Sequence, residues 1–206
     1  MTAPRRGSAR AARLHSSDAR ATASQRQLVE ALTRVVRDEG FHQATATRIA
    51  REAGLSRSGF YEHFASVDEL ALFVLDSLLA ETTTLDLEER ADQDPAHEAL
   101  PERAVELLMS TILEDRELYL GILTSDRAGG VVVRAMDRFS EATRLVIEMV
   151  RPELSARELD LHAATIGGSV LGMLMLYLRT DDQRSAPELA REMVSVMPEW
   201  LYPGSA

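Results

Sequence analysis

Residues 45–64 read TATRIAREAGLSRSGFYEHF, and this stretch decides the fold of the first third of the chain. A short helix is predicted over 46–53 with Thr45 as its N-cap, because a threonine hydroxyl at that position accepts a bond from a free amide of the first turn. Gly54 follows, and glycine adopts the positive φ of a tight reversal without a steric penalty. Such a short helix ending at a glycine is typical of the first half of a helix-turn-helix.

The second helix of this stretch is predicted over 57–63, with Ser56 as its N-cap. Phe60 and Phe64 are four residues apart, so they share one helix face and can anchor it to a core. The other faces are polar or small, and a recognition helix in the DNA major groove presents its first residues to base edges. The guanidinium group of Arg57 can donate two hydrogen bonds to a guanine edge. An ordinary helical corner with a solvated rim has the same spacing, so the spacing alone leaves both interpretations open.

The segment before this stretch is predicted to contain one amphipathic helix and a basic tail. From Ser24 onward the apolar residues recur at helical spacing, and Gly40 is expected to close that helix as a left-handed cap. Residues 1–23 hold Ala, Arg and Ser with almost no large apolar side chains. They are therefore expected to form a disordered basic arm, and such an arm can also touch DNA phosphates or a minor groove.

Charge divides the chain into two parts. The net charge is −10, but residues 1–66 carry 11 Arg against 6 Asp and Glu, which gives +5, while 67–206 carry 12 Arg against 27 acids, which gives −15. An acidic protein is normally repelled by nucleic acid, yet the part that contains 45–64 is basic. Basic charge on a helix-turn-helix segment favours DNA binding.

The composition gives little support to an enzyme. The chain has no cysteine and no lysine, so it lacks a thiol nucleophile, a cysteine metal site and a phosphate-binding Gly-Lys loop. Its five histidines are scattered, without the spacing of metal ligands. We therefore expect no catalytic residue, no metal and no cofactor.

The rest of the chain is predicted to be helical throughout, which gives an all-α protein of about nine helices. Residues 163–178 read AATIGGSVLGMLMLYL and are apolar nearly all round. They are too few to cross a bilayer, which needs about 20 residues, so no membrane is expected. The run is interpreted as part of a homodimer interface, with a central helix buried in the monomer as the alternative. The expected interface residues are Gly168, Leu171, Gly172, Met175, Leu189, Met193 and Met197.

The stretch from Thr45 to Phe64 resembles the DNA-binding segment of TetR-type transcriptional regulators. The resemblance covers about residues 24–72, and beyond residue 80 only the number, length and order of helices are similar. It implies a helix-turn-helix DNA-binding domain over 24–66, with its motif at about 45–64, and a helical effector-binding and dimerisation domain over 67–206. The residues that the resemblance places against double-stranded DNA are Thr45, Thr47, Arg48, Ser56, Arg57, Ser58, Gly59, Tyr61 and His63.

One position departs from the family pattern. The family usually has a lysine at the start of the fourth helix, and this chain has Val67 there. A phosphate contact is therefore missing, for which Ser66 or the N-terminal arginines would have to compensate.

The resemblance also implies a small-molecule effector and a mechanism. A mostly apolar pocket among the middle helices would favour a hydrophobic effector, and its expected lining is Met109, Leu113, Tyr119, Met136, Phe139, His162 and Tyr177. The implied function is that of a cytoplasmic dimeric repressor, released from a palindromic operator when the effector binds. The alternatives are a ligand-independent regulator, an activator, and a helical small-molecule-binding or scaffold protein that binds no DNA.

Overall fold

The computed structural model of the protein describes residues 6–92, 102–124, 129–180 and 183–202, with the backbone alone for 6–20, 92, 102 and 129. The chain divides into two compact units, one ending at Leu70 and one beginning at Ala71. The sequence placed this boundary four residues earlier, between 66 and 67. The described residues contain nine α-helices and no strand, so the predicted all-α fold is confirmed.

The first unit holds three helices and the start of a fourth. These are α1 (Arg6–Glu39), α2 (Ala46–Glu52), α3 (Arg57–Tyr61) and the first turn of α4 (Val67–Asp92), with a 3₁₀ turn at Phe41–Gln43 between α1 and α2. The core consists of apolar side chains from all of these elements, which are at most 5% exposed: Leu28, Ala31, Leu32, Val35, Val36, Phe41, Ile49, Ala50, Phe60, Phe64 and Leu70. The periodic residues of α1 thus form one wall of the core on which α2 and α3 are held.

The start and the end of α1 differ from the prediction. The helix begins at Arg6, whereas we expected a disordered arm up to residue 23. The reason is that alanine and arginine are strong helix formers and no proline or glycine interrupts 8–39. Gly40 has φ 83 and ψ 157, so its φ is positive as expected but it is not a left-handed helical cap. Residues 1–5 lie outside the described residues.

The second unit contains most of α4 and five further helices. These are α5 (Glu102–Glu114), α6 (Arg116–Thr124), α7 (Gly129–Val150), α8 (Ala156–Arg179) and α9 (Ala186–Ser195). The most extensive packing is between α7 and α8, followed by that between α5 and α9. The start of α8 is a capping box, in which Ser155 Oγ accepts from Glu158 N–H and the Glu158 carboxylate accepts from Ser155 N–H at 2.9 Å. These bonds from Ser155 lower the pKa of Glu158.

The α7–α8 contact depends on Gly167. A Cβ at this position would lie 2.8 Å from the backbone carbonyl carbon and oxygen of Phe139 and from the amide nitrogen of Ser140. No side chain larger than hydrogen fits there unless the two backbones move apart. Gly168 and Gly172 are different, because a Cβ at either would meet nothing within 4 Å.

The helix α8 has one face in the core and, among the described residues, one face that is exposed. Leu161 and Leu176 are 55% and 57% exposed on the outer face. We call this face the α8 outer stripe, and at helical spacing it comprises Leu161, Ala164, Thr165, Gly168, Gly172 and Leu176. α8 is also long and apolar enough to pass a length-and-composition test for a membrane span, with a mean hydropathy of 1.5, but core helices of soluble proteins pass the same test.

The expected dimer residues therefore need correction. Leu171, Leu189, Met193 and Met197 are at most 8% exposed and are buried inside their own subunit. The physical reason is that the apolar face of α9 packs on α5, and Leu171 lies on the inner face of α8. Gly172 is exposed, and Gly168 and Met175 are partly exposed, so they remain accessible to a second subunit.

Candidate nucleic-acid interface and effector cavity

The corner between α2 and α3 is built by short-range caps. Thr45 Oγ1 accepts from the Arg48 amide at 3.2 Å, and Ser56 Oγ accepts from the Gly59 amide at 3.0 Å. Gly54 has φ 71, in the region that favours glycine. Directly after it, the amide of Leu55 donates to the carbonyl of Ala50 at 2.8 Å. These contacts fix the angle at which α3 leaves the corner.

The helix α3 presents a polar surface to solvent because two phenylalanines hold its other side. Phe60 is fully buried and Phe64 is 3% exposed. Ser56, Arg57 and Ser58 are exposed on the opposite side. The predicted division of α3 into an anchored face and a free face is therefore present in the structure.

Arg57 and Tyr61 form an ordered pair on the free face of α3. The Arg57 guanidinium carbon lies 5.6 Å from the centroid of the Tyr61 ring, within the range of a cation–π interaction. Tyr61 is 47% exposed, and its ring also meets Phe60 edge-on with centroids 5.4 Å apart. Because Phe60 holds the Tyr61 ring in place, the ring can support the Arg57 guanidinium. This contact restricts the rotamers of Arg57 before DNA is bound.

Gly59 is partly exposed next to Ser58 of the free face, and the described residues do not require a glycine there. A Cβ at Gly59 would lie 3.4 Å from Ser56 Oγ and 3.7 Å from Leu55 Cβ, which is ordinary contact. Its backbone is helical, without the positive φ seen at Gly40 and Gly54. The absence of a side chain therefore serves no packing need within the described part of the chain.

The remaining residues predicted to contact DNA differ in their solvent exposure. Thr45 and Thr47 are exposed, and His63 is partly exposed. Arg48 forms an ion pair with Glu39 and is only 28% exposed. It would have to exchange a carboxylate for a phosphate before contacting DNA. The two residues are nine positions apart on different helices, so no spacing rule in the sequence pointed to this pair.

Comparisons with known proteins place this corner in a family. Residues 28–73 match the family model described as bacterial regulatory proteins, tetR family. The match covers the helix-turn-helix segment and the residues on either side of it, so this segment is similar to the DNA-binding region of that family. No curated protein matches the sequence at a significant level.

Solved structures with the same fold include members of the tetR family. Thermus thermophilus FadR, a TetR-family transcriptional repressor in complex with lauroyl-CoA, is 16% identical with a TM-score of 0.62, covering 82% of this chain and 91% of its own. The fatty acid degradation regulator FadR of Bacillus halodurans is 14% identical with a TM-score of 0.57, covering 87% and 95%. The dihydroxyacetone kinase operon activator DhaS is 16% identical with a TM-score of 0.58, covering 84% and 93%. At these identities the likeness shows the fold.

In this chain the positive charge lies mainly outside the helix-turn-helix. Residues 1–20 hold 5 Arg and 1 Asp, whereas 21–66 hold 6 Arg and 5 acids, so the two segments carry +4 and +1. Three arginines of the second segment form ion pairs with glutamates, namely Arg26, Arg34 and Arg48. The positive charge that could attract phosphates therefore lies chiefly in the first twenty residues.

The first turn of α4 does not replace the family's missing lysine. Ser66 Oγ accepts from the Glu69 amide at 3.1 Å, so Ser66 serves as a cap. Asp68 and Glu69 lie in the same turn and make it acidic. The negative charges of these two side chains oppose a phosphate, and compensation by the N-terminal arginines stays a prediction.

The second unit contains a cavity of about 100 Å³ between α4, α5, α7, α8 and the C-terminal region. Its lining is mostly apolar and includes Leu79, Val105, Leu108, Phe139, Val146, Ile166, Met193 and Met197. Of the seven predicted effector residues, only Phe139 lines it. Met136 is 47% exposed, Met109, Tyr119 and Tyr177 are buried elsewhere, and Leu113 and His162 are partly exposed. Burial raises the pKa of Tyr119 to about 12.

Sequence reasoning missed the polar residues of this cavity. Thr82, Asp86 and Tyr202 line it, and the buried Asp86 carboxylate accepts from Arg90 Nε at 2.9 Å. The signal was present, because Leu75, Leu79, Thr82 and Asp86 continue one helical stripe and an acid stands where the pattern requires an apolar residue. An acid on the inner stripe of a helix indicates a special site and not a solvated face.

Proposed function

We propose that this protein is a homodimeric, effector-responsive transcriptional repressor of the tetR family that binds duplex DNA through α3. The observation that carries the proposal is the free face of α3, with Ser56, Arg57, Ser58 and Tyr61 exposed above two buried phenylalanines. Such a face matches the recognition helix of a helix-turn-helix, whose first residues reach base edges while hydroxyls contact phosphates. The protein would act in the cytoplasm, where its operator lies.

A dimer is needed because one short helix reads too few base pairs. Two copies related by a two-fold axis contact two half-sites about one turn of B-DNA apart, ~34–36 Å. The α8 outer stripe supports this proposal, since it is an apolar helix face with open space at Gly168 and Gly172. Small residues allow a second helix to approach closely, and pairing would remove the exposed leucines from water.

The effector is proposed to bind in the cavity of the second unit and to act through α4. This helix begins at Val67, immediately after the helix-turn-helix, and Leu79, Thr82, Thr83 and Asp86 of the same helix line the cavity. A ligand that favours one position of α4 over another shifts the population of DNA-competent dimers by its difference in affinity for the two states. Repression relieved by the effector is the expected direction.

The test is selection of fragments of the source genome by the purified full-length protein. We expect a pseudo-palindrome to be enriched, and binding to it should weaken steeply with salt because bound arginines release counterions from the DNA. A reporter gene behind the selected site should be repressed, and an increase in expression would instead identify an activator. No enrichment, with no salt-dependent binding to any duplex, would rule out the proposal.

A shortened chain beginning at Ala21 serves as the charge control. It is without the first five arginines and keeps Leu28 and every other core residue of the first unit. The slope of log affinity against log salt should become shallower by about 0.9 for each phosphate that the shortened chain no longer neutralises. An unchanged slope would show that residues 1–20 do not contact DNA.

A further inference from the structure

The polar residues that line the cavity of the second unit restrict the chemistry of a ligand bound there. The inference below rests on the proposed effector role of that cavity. We propose that the effector is a compact, mainly apolar molecule that carries an O–H or N–H donor and gives it to Asp86 Oδ1. The same geometry argues against anionic effectors.

Asp86 supplies an unused acceptor at a buried position in the cavity wall. The residue is 5% exposed and lines the cavity. One carboxylate oxygen, Oδ2, accepts from Arg90 Nε at 2.9 Å, whereas Oδ1 is buried and has no hydrogen-bond partner in the described part of the chain. A buried acceptor without a partner is costly, and most buried polar groups find one. A donor on a guest molecule would remove that cost.

Neighbouring polar groups do not satisfy Oδ1. The Thr82 hydroxyl, also buried, donates to the Leu78 carbonyl at 3.0 Å. Arg90 donates through Nη1 to the Leu201 carbonyl at 2.9 Å, and its guanidinium carbon lies 5.2 Å from the centroid of the Tyr202 ring. These contacts hold Arg90 beside Oδ2, so Oδ1 is the oxygen available to a ligand.

The charge around Asp86 is negative. Glu89 lies one turn further along α4 with both carboxylate oxygens buried and without a hydrogen bond among the described residues. Its ion-pair partner at 3.2 Å, Arg103, is 78% exposed and therefore screened by solvent. Asp86 and Glu89 thus lie near one largely buried cation, Arg90, and one exposed cation, Arg103. Burial raises the pKa of both acids, because desolvation disfavours their charged forms.

Size and charge together define the ligand class. A cavity of about 100 Å³ is of the same order as the ~150 Å³ apolar cavity that accepts benzene. A carboxylate or a phosphate at its polar end would face the Asp86 carboxylate, with Glu89 one turn further along the same helix. The T. thermophilus FadR structure holds lauroyl-CoA, and an acyl-CoA of that kind carries phosphate charges that this site would repel. A small aromatic or aliphatic amine or alcohol fits both requirements.

The experiment compares four probes of similar shape on the full-length protein: benzylamine, benzyl alcohol, toluene and benzoate. Affinities are measured by calorimetry, without DNA. We expect benzylamine and benzyl alcohol to bind about tenfold or more tightly than toluene, since a hydrogen bond to a charged acceptor exceeds one decade in affinity. Benzoate should bind most weakly. Equal binding of toluene and benzyl alcohol, or a preference for benzoate, would overturn the inference.

Two variants test the role of Asp86 itself. Asp86→Asn keeps an oxygen for Arg90 and turns an NH₂ toward the cavity, so benzylamine should lose about tenfold in affinity while the acceptor-only probe acetophenone gains. Ala142→Leu fills the cavity from α7 and should weaken every probe alike. Melting temperatures measured without probe show whether each variant folds. If a variant does not fold, the affinities of the four probes for the unaltered protein test the inference alone.

The outcome separates this inference from the proposed function. If the protein binds its operator but no probe binds at millimolar concentration, or the probes bind in another order, the ligand class is wrong while the regulator role remains. If the probes bind in the expected order but no DNA is bound, the chemistry at Asp86 is supported and the regulator role fails.

Discussion

The α2–α3 corner and the α7–α8 pair both contain a glycine on a helix, in opposite surroundings. At Gly59 on α3 an added Cβ would find ordinary contact distances of 3.4 and 3.7 Å. At Gly167 on α8 it would lie 2.8 Å from backbone atoms of α7. The second glycine is required by the fold of its own chain. The first is not, so its explanation must be sought in a molecule outside the chain.

This difference extends to the surroundings of each glycine. Around Gly59 the exposed side chains of Ser56 and Ser58 lie beside the partly buried Leu55. Around Gly167 the side chains are apolar and buried. The helix α8 shows both situations at once, since its opposite face holds Gly168 and Gly172 in open space beside exposed leucines. The predictions below separate glycines and side chains needed by the fold from those needed by a partner.

The largest effect is expected from Leu176→Glu on the α8 outer stripe. A charge at this exposed position should leave the monomer folded but prevent two copies of α8 from pairing, because an unpaired carboxylate would become buried. Without the second half-site, operator affinity should fall by roughly a hundredfold or more. Analytical ultracentrifugation gives the oligomeric state, and a titration with operator DNA gives the affinity.

Val133→Glu is the matched control for this variant. Val133 is 65% exposed on α7, outside the α8 outer stripe. We expect it to change neither the dimer nor the operator affinity. A Leu176→Glu protein that remains dimeric would show that the stripe is not the interface.

Gly167→Ala is expected to have the next largest effect, and on stability. Overpacking a close helix contact costs about 1–3 kcal/mol, so the free energy of unfolding by urea should fall by that amount. Gly130→Ala on α7, where a Cβ meets nothing within 4 Å, is the control and should show no such decrease. If the two variants are equally stable, α7 and α8 are not in close backbone contact at this point.

The two regions also differ in how far the sequence could predict them. The caps by Thr45 and Ser56 span three residues each, so spacing alone located α2 and α3. In α8 the residues are apolar nearly all round, so periodicity cannot say which face is inside. That is why Leu171 was assigned to a dimer interface although it lies in the core. Only the packing of α6 and α7 against α8 settles such a choice.

The cavity lining and the ion pairs between helices could not be predicted from the sequence for a similar reason. Phe139 and Asp86 line the cavity together but are 53 positions apart, on α7 and α4. The Arg48–Glu39 pair joins two helices through the turn at Gly40. Local spacing identifies a residue's own helix face, whereas its partner across the core depends on how the helices pack.

Arg57→Ala tests the corner at the level of a single side chain. If Arg57 pairs with guanine, operator binding should weaken by about 1–3 kcal/mol and the selected site should tolerate substitution at one base pair. Arg51→Ala, an exposed arginine of α2 outside the predicted DNA set, is the control. Equal weakening on operator and on unrelated duplex would make Arg57 a phosphate contact only.

Gly59→Ala is expected to have the smallest effect and gives the clearest distinction between the two regions. The backbone of Gly59 is helical and a methyl group fits, so the free energy of unfolding should stay the same or rise by up to about 1 kcal/mol. Operator affinity should nevertheless fall several-fold, because the methyl group lies on the face that must approach DNA. Opposite signs in these two measurements identify a glycine kept for a partner. A decrease in stability would instead place Gly59 with Gly167 among the glycines that the fold requires.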